Sequence, residues 1–215
     1  MQLRRDDAVH SAHVVLAADA EGVEANARLT SSVAVLLLIL LAAEGLTLPA
    51  IHALLRPHVY IGFALIPPVA LKVGSTLYRF TRYYARAPAY RQKGPPPTLL
   101  RMLGPVVVLS TVLLLASGVA LLFFTRTWQQ RMLTLHKASF ILWFGAMTVH
   151  VVAHIIETMQ LGPRDWVPRK NGAPQEARSV PLAAGRRWLI ATSVLAGALL
   201  GAWGLGHVGG WVFRA

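Results

Sequence analysis

Five long apolar runs alternate with polar segments along this chain, at about residues 31–50, 57–79, 101–124, 133–157 and 187–208. Each comes close to the ~20 residues that an α-helix needs to cross the hydrocarbon of a bilayer. The pattern predicts an all-α integral membrane bundle of five transmembrane helices. Residues 1–28 are polar and mixed in charge and read as a tail. The first run begins too far into the chain for a secretory signal, and Leu48-Pro49-Ala50 is read as the end of an uncleaved span rather than as a cleavage site. Residues 29–160 then form a four-helix membrane domain, 161–185 a polar loop, and 186–215 the fifth helix with the C-terminus. Gly94-Pro95-Pro96-Pro97 stiffens the loop after the second helix, and Gly162-Pro163 ends the fourth. Pro67 and Pro68 interrupt the second helix, where a kink is expected.

The charge distribution gives the orientation. The loop after the second helix holds Arg82, Arg86, Arg91 and Lys93, flanked by Arg79 and Arg101. The loop after the fourth holds Arg164, Arg169, Lys170, Arg178, Arg186 and Arg187, whereas the opposite side has only Arg56, Arg126 and Arg131. By the positive-inside rule the N-terminus lies in the cytoplasm and the C-terminus outside. The net charge of +12 is therefore a membrane-topology signal, and with no accompanying motif it excludes a nucleic-acid partner. A 55% hydrophobic composition with 14% charged residues and a mean hydropathy of +0.51 agrees with the membrane assignment. Trp128, Trp166, Trp188 and Trp211 fall near helix ends, as interfacial anchors do.

Within this frame the fourth run carries His136, His150 and His154, whose spacing returns all three to one helical face. His136 and His150 are separated by a rise of roughly 21 Å, enough to reach two depths of one bilayer. Ionisable residues at such depths mark a functional site by default. In the predicted topology the second and fourth helices run in the same direction, so His58 comes level with His136, Lys72 with His150 and Thr76 with His154. Two imidazoles facing each other from different helices are the ligand set of a b-type haem. With no cysteine in the chain, that haem is held non-covalently, and disulfides, thiolate zinc sites and iron–sulfur clusters are excluded.

Gly62, one turn after His58, leaves room for a flat ring, and Phe140, Trp143 and Met147 share the His136 face. Lys72 stands where a second haem would need an imidazole. It is a candidate for a propionate contact, a quinone site or, once desolvated, iron itself, and His154 belongs to the same inner level. Glu44, inside the first helix, is placed either to accept a hydrogen bond from a ligand histidine or to move protons. Arg56 and Arg131 flank the outer pair. The two histidines of His150-Val-Val-Ala-His154 lack the glutamate and third ligand of a helical zinc site. His52, His207, His10 and His13 are expected to meet solvent. Gly197 and Gly201 form a GxxxG motif in the fifth helix, expected to pack within this chain.

The segment His136-Lys-Ala-Ser-Phe-Ile-Leu-Trp143, followed by His150-Val-Val-Ala-His154, resembles the ligand helix of bacterial cytochrome b561-type membrane cytochromes. That group includes the cytochrome b subunits of formate dehydrogenases and nickel–iron hydrogenases. His58-Val-Tyr-Ile-Gly62 is similar to a ligand-plus-glycine segment of the same group. The resemblance covers roughly residues 31–160. It implies a four-helix haem bundle in the bacterial inner membrane, relaying electrons between a quinone pool and a partner redox subunit such as a molybdenum enzyme. On that reading His58 and His136 ligate haem b, and His150 is the candidate for a second. The first helix offers no histidine to complete an inner pair. The sequence leaves two alternatives open. One is a haem-free proton-conducting or transport subunit using Glu44, Lys72, His150 and His154; the other is a membrane anchor whose histidines only tie helices together.

Overall fold

A computed structural model describes residues 2–92, 98–166 and 183–212, and no strand occurs among the described residues. Helix α1 spans Gln2–Thr47 and is followed by a 3-10 turn, Leu48–Ala50. Then come α2 (Ile51–Tyr84), the short α3 (Pro88–Gln92), α4 (Thr98–Phe123), α5 (Arg126–Leu161), a second 3-10 turn (Gly162–Asp165) and α6 (Ala183–Val212). The polar N-terminal segment read as a tail is thus a backward continuation of the first helix. Ala8, Ala12, Ala17, Ala18, Ala20, Ala25 and Ala27 supply the helix propensity for it. Gly94-Pro95-Pro96-Pro97, and the loop prolines Pro168, Pro174 and Pro181, lie outside the described residues.

Among the described residues four helical stretches are long and apolar enough to cross a membrane: Glu21–Tyr84, Arg101–Phe123, Thr127–Arg164 and Ala183–Val208. The first of these is 64 residues long and is folded back on itself. Pro49 sits in the 3-10 turn and Ala50 leaves helical geometry (φ −127°, ψ 41°), which reverses the chain between α1 and α2. The two arms then pack antiparallel, with Thr47 beside His58 at one end and Thr30 and Asn26 beside Ser75 at the other.

Burial is inverted relative to a soluble protein. Ser31, Ser32, Ser75, Ser110, Ser117, Ser139 and Ser193 are buried, whereas large apolar side chains such as Ile141, Ile156, Val152 and Leu199 face outward, Ile141 being 72% exposed. Hydrocarbon solvates leucine as well as a protein core does, so helices in lipid meet through small residues and turn their bulky ones out. The chain is built as a multi-pass membrane protein.

Helix α1 packs against α2 and α5, and α4 packs against α5 and α2, so α2 and α5 stand diagonally across a four-helix core. Helix α6 lies outside this core, mainly along α2. Its glycines explain the fit. A Cβ on Gly197 would collide with the Ala64 carbonyl oxygen; one on Gly201 would lie 2.7 Å from the Tyr60 carbonyl oxygen, and one on Gly204 2.9 Å from the Phe63 ring. The GxxxG face is therefore used within the chain, as expected. At the other end of α5, Gly162 admits α1: a Cβ there would sit 2.7 Å from Val35, and its carbonyl accepts a 2.8 Å hydrogen bond from Ser32.

The expected kink is displaced. Torsions stay helical through Pro67 and Pro68, and the one departure in α2 is Leu54 (φ −104°, ψ 18°), three residues before Pro57. A proline lacks the N–H of its helical turn and crowds the carbonyl four residues earlier, so distortion appears just N-terminal to Pro57. Pro68, by contrast, is almost fully enclosed by neighbours that hold the helix straight.

The α2–α6 contact gives a direct test. Gly201→Ala is expected to destabilise the protein by about 1–3 kcal/mol, because a backbone carbonyl cannot yield to the new methyl. Gly145→Ala, where a Cβ meets nothing within 4 Å, is expected to be neutral. Thermal unfolding of the two variants in detergent measures the difference.

Candidate functional site

His58 and His136 enter the four-helix core from its diagonal helices, and their rings meet there. The ring centroids are 6.4 Å apart and the planes are nearly perpendicular, at 86°. The level-matching argument from sequence thus places the correct two side chains together.

The groups around each ring, a backbone carbonyl at His136 and two side chains at His58, set where its proton lies. His136 Nδ1 lies 3.1 Å from the Leu114 carbonyl oxygen of α4. A carbonyl only accepts, so a neutral His136 carries its proton on Nδ1 and leaves Nε2 as a lone pair. The same Nδ1 is 3.1 Å from Ser117 Oγ, whose own proton goes to Leu114 O, so the hydroxyl oxygen is free to accept as well. His58 is held in the same way from α1. Its Nδ1 is 2.9 Å from Thr47 Oγ1 and 3.0 Å from Glu44 Oε1, and the Thr47 hydroxyl donates to the Glu44 carbonyl. With the Glu44 carboxylate as acceptor, His58 like His136 is an Nδ1–H imidazole, and neither Nε2 makes a protein hydrogen bond among the described residues.

This is the arrangement of metal-ligating histidines, in which the second nitrogen donates to a carboxylate or carbonyl and so orients the first. The spacing agrees. Two metal–imidazole bonds of ~2.0 Å, plus roughly 1 Å from each nitrogen to its ring centre, sum to about 6 Å.

The neighbouring residues differ in part from expectation. Gly62 borders the Glu44 carboxyl group that contacts His58: a Cβ there would lie 3.5 Å from Glu44 Oε1. The glycine against a ligand ring is Gly118 of α4, where a Cβ would sit 3.1 Å from His136 Cε1. Trp143 is buried and its Nε1 donates a 2.9 Å hydrogen bond to Thr111 Oγ1, tying α5 to α4, with Phe140 stacked beside it. Arg131 lies over the Trp128 ring, 5.0 Å from its centroid, and Arg56 is exposed. His52 is exposed, while His207 packs against Trp203 and donates from Nδ1 to the Trp203 carbonyl. The side chains of His10 and His13 lie outside the described residues.

At the opposite end of the core Lys72 Nζ donates to the Thr30 carbonyl at 2.8 Å, and Thr76 donates to the Lys72 carbonyl. Lys72 also interacts electrostatically with His150, His154 and Glu157. His150 and His154 lie ring to ring, 4.8 Å between centroids, and His154 Nδ1 is 4.0 Å from Glu157 Oε2. This cluster spans α2 and α5 but contains no imidazole from α2. Among the described residues no three His, Cys, Asp or Glu side chains converge as a metal cage.

Gly118, Ser117, Leu114 and Thr47 escaped the sequence reading because their role depends on which helices are neighbours. A signal for the first two existed: Ser110, Thr111, Ser117 and Gly118 recur at seven-residue spacing and mark one small, polar face on an otherwise apolar α4.

The tautomers are checkable in the metal-free protein. Nitrogen-15 NMR of labelled His58 and His136 is expected to show protonated Nδ1 and bare Nε2 at both; an Nε2–H form at either would contradict the hydrogen-bond argument. Comparison with protein-family models, curated proteins and solved structures finds no match to this chain.

Proposed function

We propose that this chain is a membrane b-type cytochrome in which His58 and His136 hold one haem b and relay electrons. The observation that carries the proposal is the paired imidazoles, 6.4 Å apart, each with its Nδ1 proton committed and its Nε2 lone pair available. Two protein ligands without a third favour a cofactor that brings its own equatorial nitrogens. The absence of cysteine makes attachment non-covalent. His58 and His136 would hold the haem, which would supply one-electron redox chemistry.

The rest falls to the chain. Leu114, Ser117, Thr47 and Glu44 orient the ligands, Gly118 makes room for the His136 ring, and the apolar helices exclude water. The α1–α2 hairpin counts as two spans, giving five crossings, with the basic loops and the N-terminus in the cytoplasm of a bacterial cell and the C-terminus outside. Lys72, His150 and His154 then lie toward the cytoplasmic face, as the place for quinone exchange with a partner redox subunit, in the manner of membrane subunits of molybdenum enzymes. Lys72 is tied to Thr30 and no imidazole opposes His150, which supports one haem rather than two. The electrostatic link from Lys72 to His150, His154 and Glu157 favours a second reading, proton conduction without haem.

A dithionite-reduced minus oxidised spectrum of detergent-purified protein, with a pyridine haemochromogen assay, separates these readings. The expected result is a low-spin b-type spectrum with one haem per chain, lost in both His58→Ala and His136→Ala. The perpendicular ring planes also predict a highly anisotropic low-spin ferric EPR signal. No haem after expression with ample haem supply would overturn the cytochrome reading and favour proton conduction.

A further inference from the structure

The two ligand histidines are not equivalent, and the difference comes from α1, a helix that supplies no ligand. His136 gives its Nδ1 proton to neutral oxygens, the Leu114 carbonyl and the Ser117 hydroxyl. His58 gives its proton to Thr47 Oγ1 and to a carboxyl oxygen, Glu44 Oε1 at 3.0 Å. The other carboxyl oxygen, Glu44 Oε2, is buried and has no hydrogen-bond partner among the described residues. Glu44 is therefore not consumed by a network of its own; the one side chain that engages its carboxyl group is His58. Gly62 keeps α2 clear of that group, with no side chain between the helices at this point.

A carboxyl group on Nδ1 makes an imidazole more electron-donating at Nε2 and favours the more highly charged state of a bound metal. We propose that Glu44 is the positioning residue of the site: it locks His58 in its Nδ1–H form and, by strengthening that ligand, holds the midpoint potential of the bound haem down. The inference rests on the cytochrome reading. Helix α1 thus acts on the metal through α2, and the asymmetry between carboxyl and carbonyl makes His58 the stronger ligand of the pair.

The test compares Glu44→Gln, Glu44→Ala and Ser117→Ala in the full-length haem-loaded protein, read by haem per chain, haem affinity, midpoint potential and ferric EPR. In Glu44→Gln the amide oxygen still accepts from Nδ1. This variant is expected to keep one haem per chain but to show a raised potential and a shifted EPR signal. Glu44→Ala is expected to bind haem roughly 10- to 100-fold more weakly, with glutamine rescuing the affinity. Ser117→Ala leaves the Leu114 carbonyl in place and is expected to move the potential less than either. If Glu44→Ala fails to fold, Glu44→Gln carries the test alone. A Glu44→Gln potential that is unmoved or lowered, with haem present in the unsubstituted protein, overturns this inference and leaves the cytochrome reading standing. No haem in the unsubstituted protein overturns both.

Discussion

Hydrocarbon cannot solvate a polar group, and that constraint organises this molecule. Most hydroxyls in the helices are satisfied at once by their own backbone: Ser110 and Thr111 donate to Val107, Ser139 to His136, Thr148 to Phe144 and Ser193 to Ile190. Such bonds ask nothing of neighbouring helices. A second, smaller set crosses between helices, and each member fixes a register: Lys72 to Thr30, Asn26 to Ser75, Trp143 to Thr111, Ser32 to Gly162, and the contacts of His58 and His136. Interhelical hydrogen bonds in membranes contribute only about 0.6 kcal/mol each on average. Their effect here is alignment more than stability.

The two ends of the core use this alignment differently. At the His58 end, every ring proton is committed to an oxygen of an adjacent helix, which frees one lone pair on each ring. At the Lys72 end the amine donates to a single carbonyl and the two histidines lie tilted against each other on one helix. The first arrangement ties two rings of different helices to oxygens of their neighbours; the second gathers its polar groups around one amine. One core thus holds a fixed imidazole pair and a separate polar cluster some helical turns apart.

How far this was legible from the sequence follows from which relations are local. Helical spans and depth are properties of single runs, so the all-helical class and the meeting of His58 with His136 followed from run lengths and spacing. Neighbour identity is not local. Nothing in the α4 sequence states that Ser117 and Gly118 face His136, and nothing in the α2 sequence that Gly62 borders Glu44. The kink shows the same limit in one helix: three prolines carry equal intrinsic tendency to distort, and packing around Pro68 decides that the departure appears near Pro57 instead. The helical state of the N-terminal segment escaped for another reason, since charge masked an alanine-rich helix former.

The fifth long helix, which has no ligand candidate in its apolar interior, acquires a role from this geometry. Gly201 presses on the backbone of Tyr60, two residues after His58, and Gly204 and Gly197 press on Phe63 and Ala64. At Gly197 and Gly201 the nearest atoms are backbone carbonyls, at Gly204 an aromatic ring, and such close contacts leave little freedom to slide. Helix α2 is therefore gripped on one side by the glycine face of α6 and on another by the polar contacts of α1, directly beyond the kink at Leu54. A ligand whose useful position is defined to a fraction of an ångström needs such support, because displacement of about 1 Å is enough to spoil a site. The small residues of α6 thus bear on the stretch of α2 that carries His58, the same imidazole that Glu44 contacts from α1.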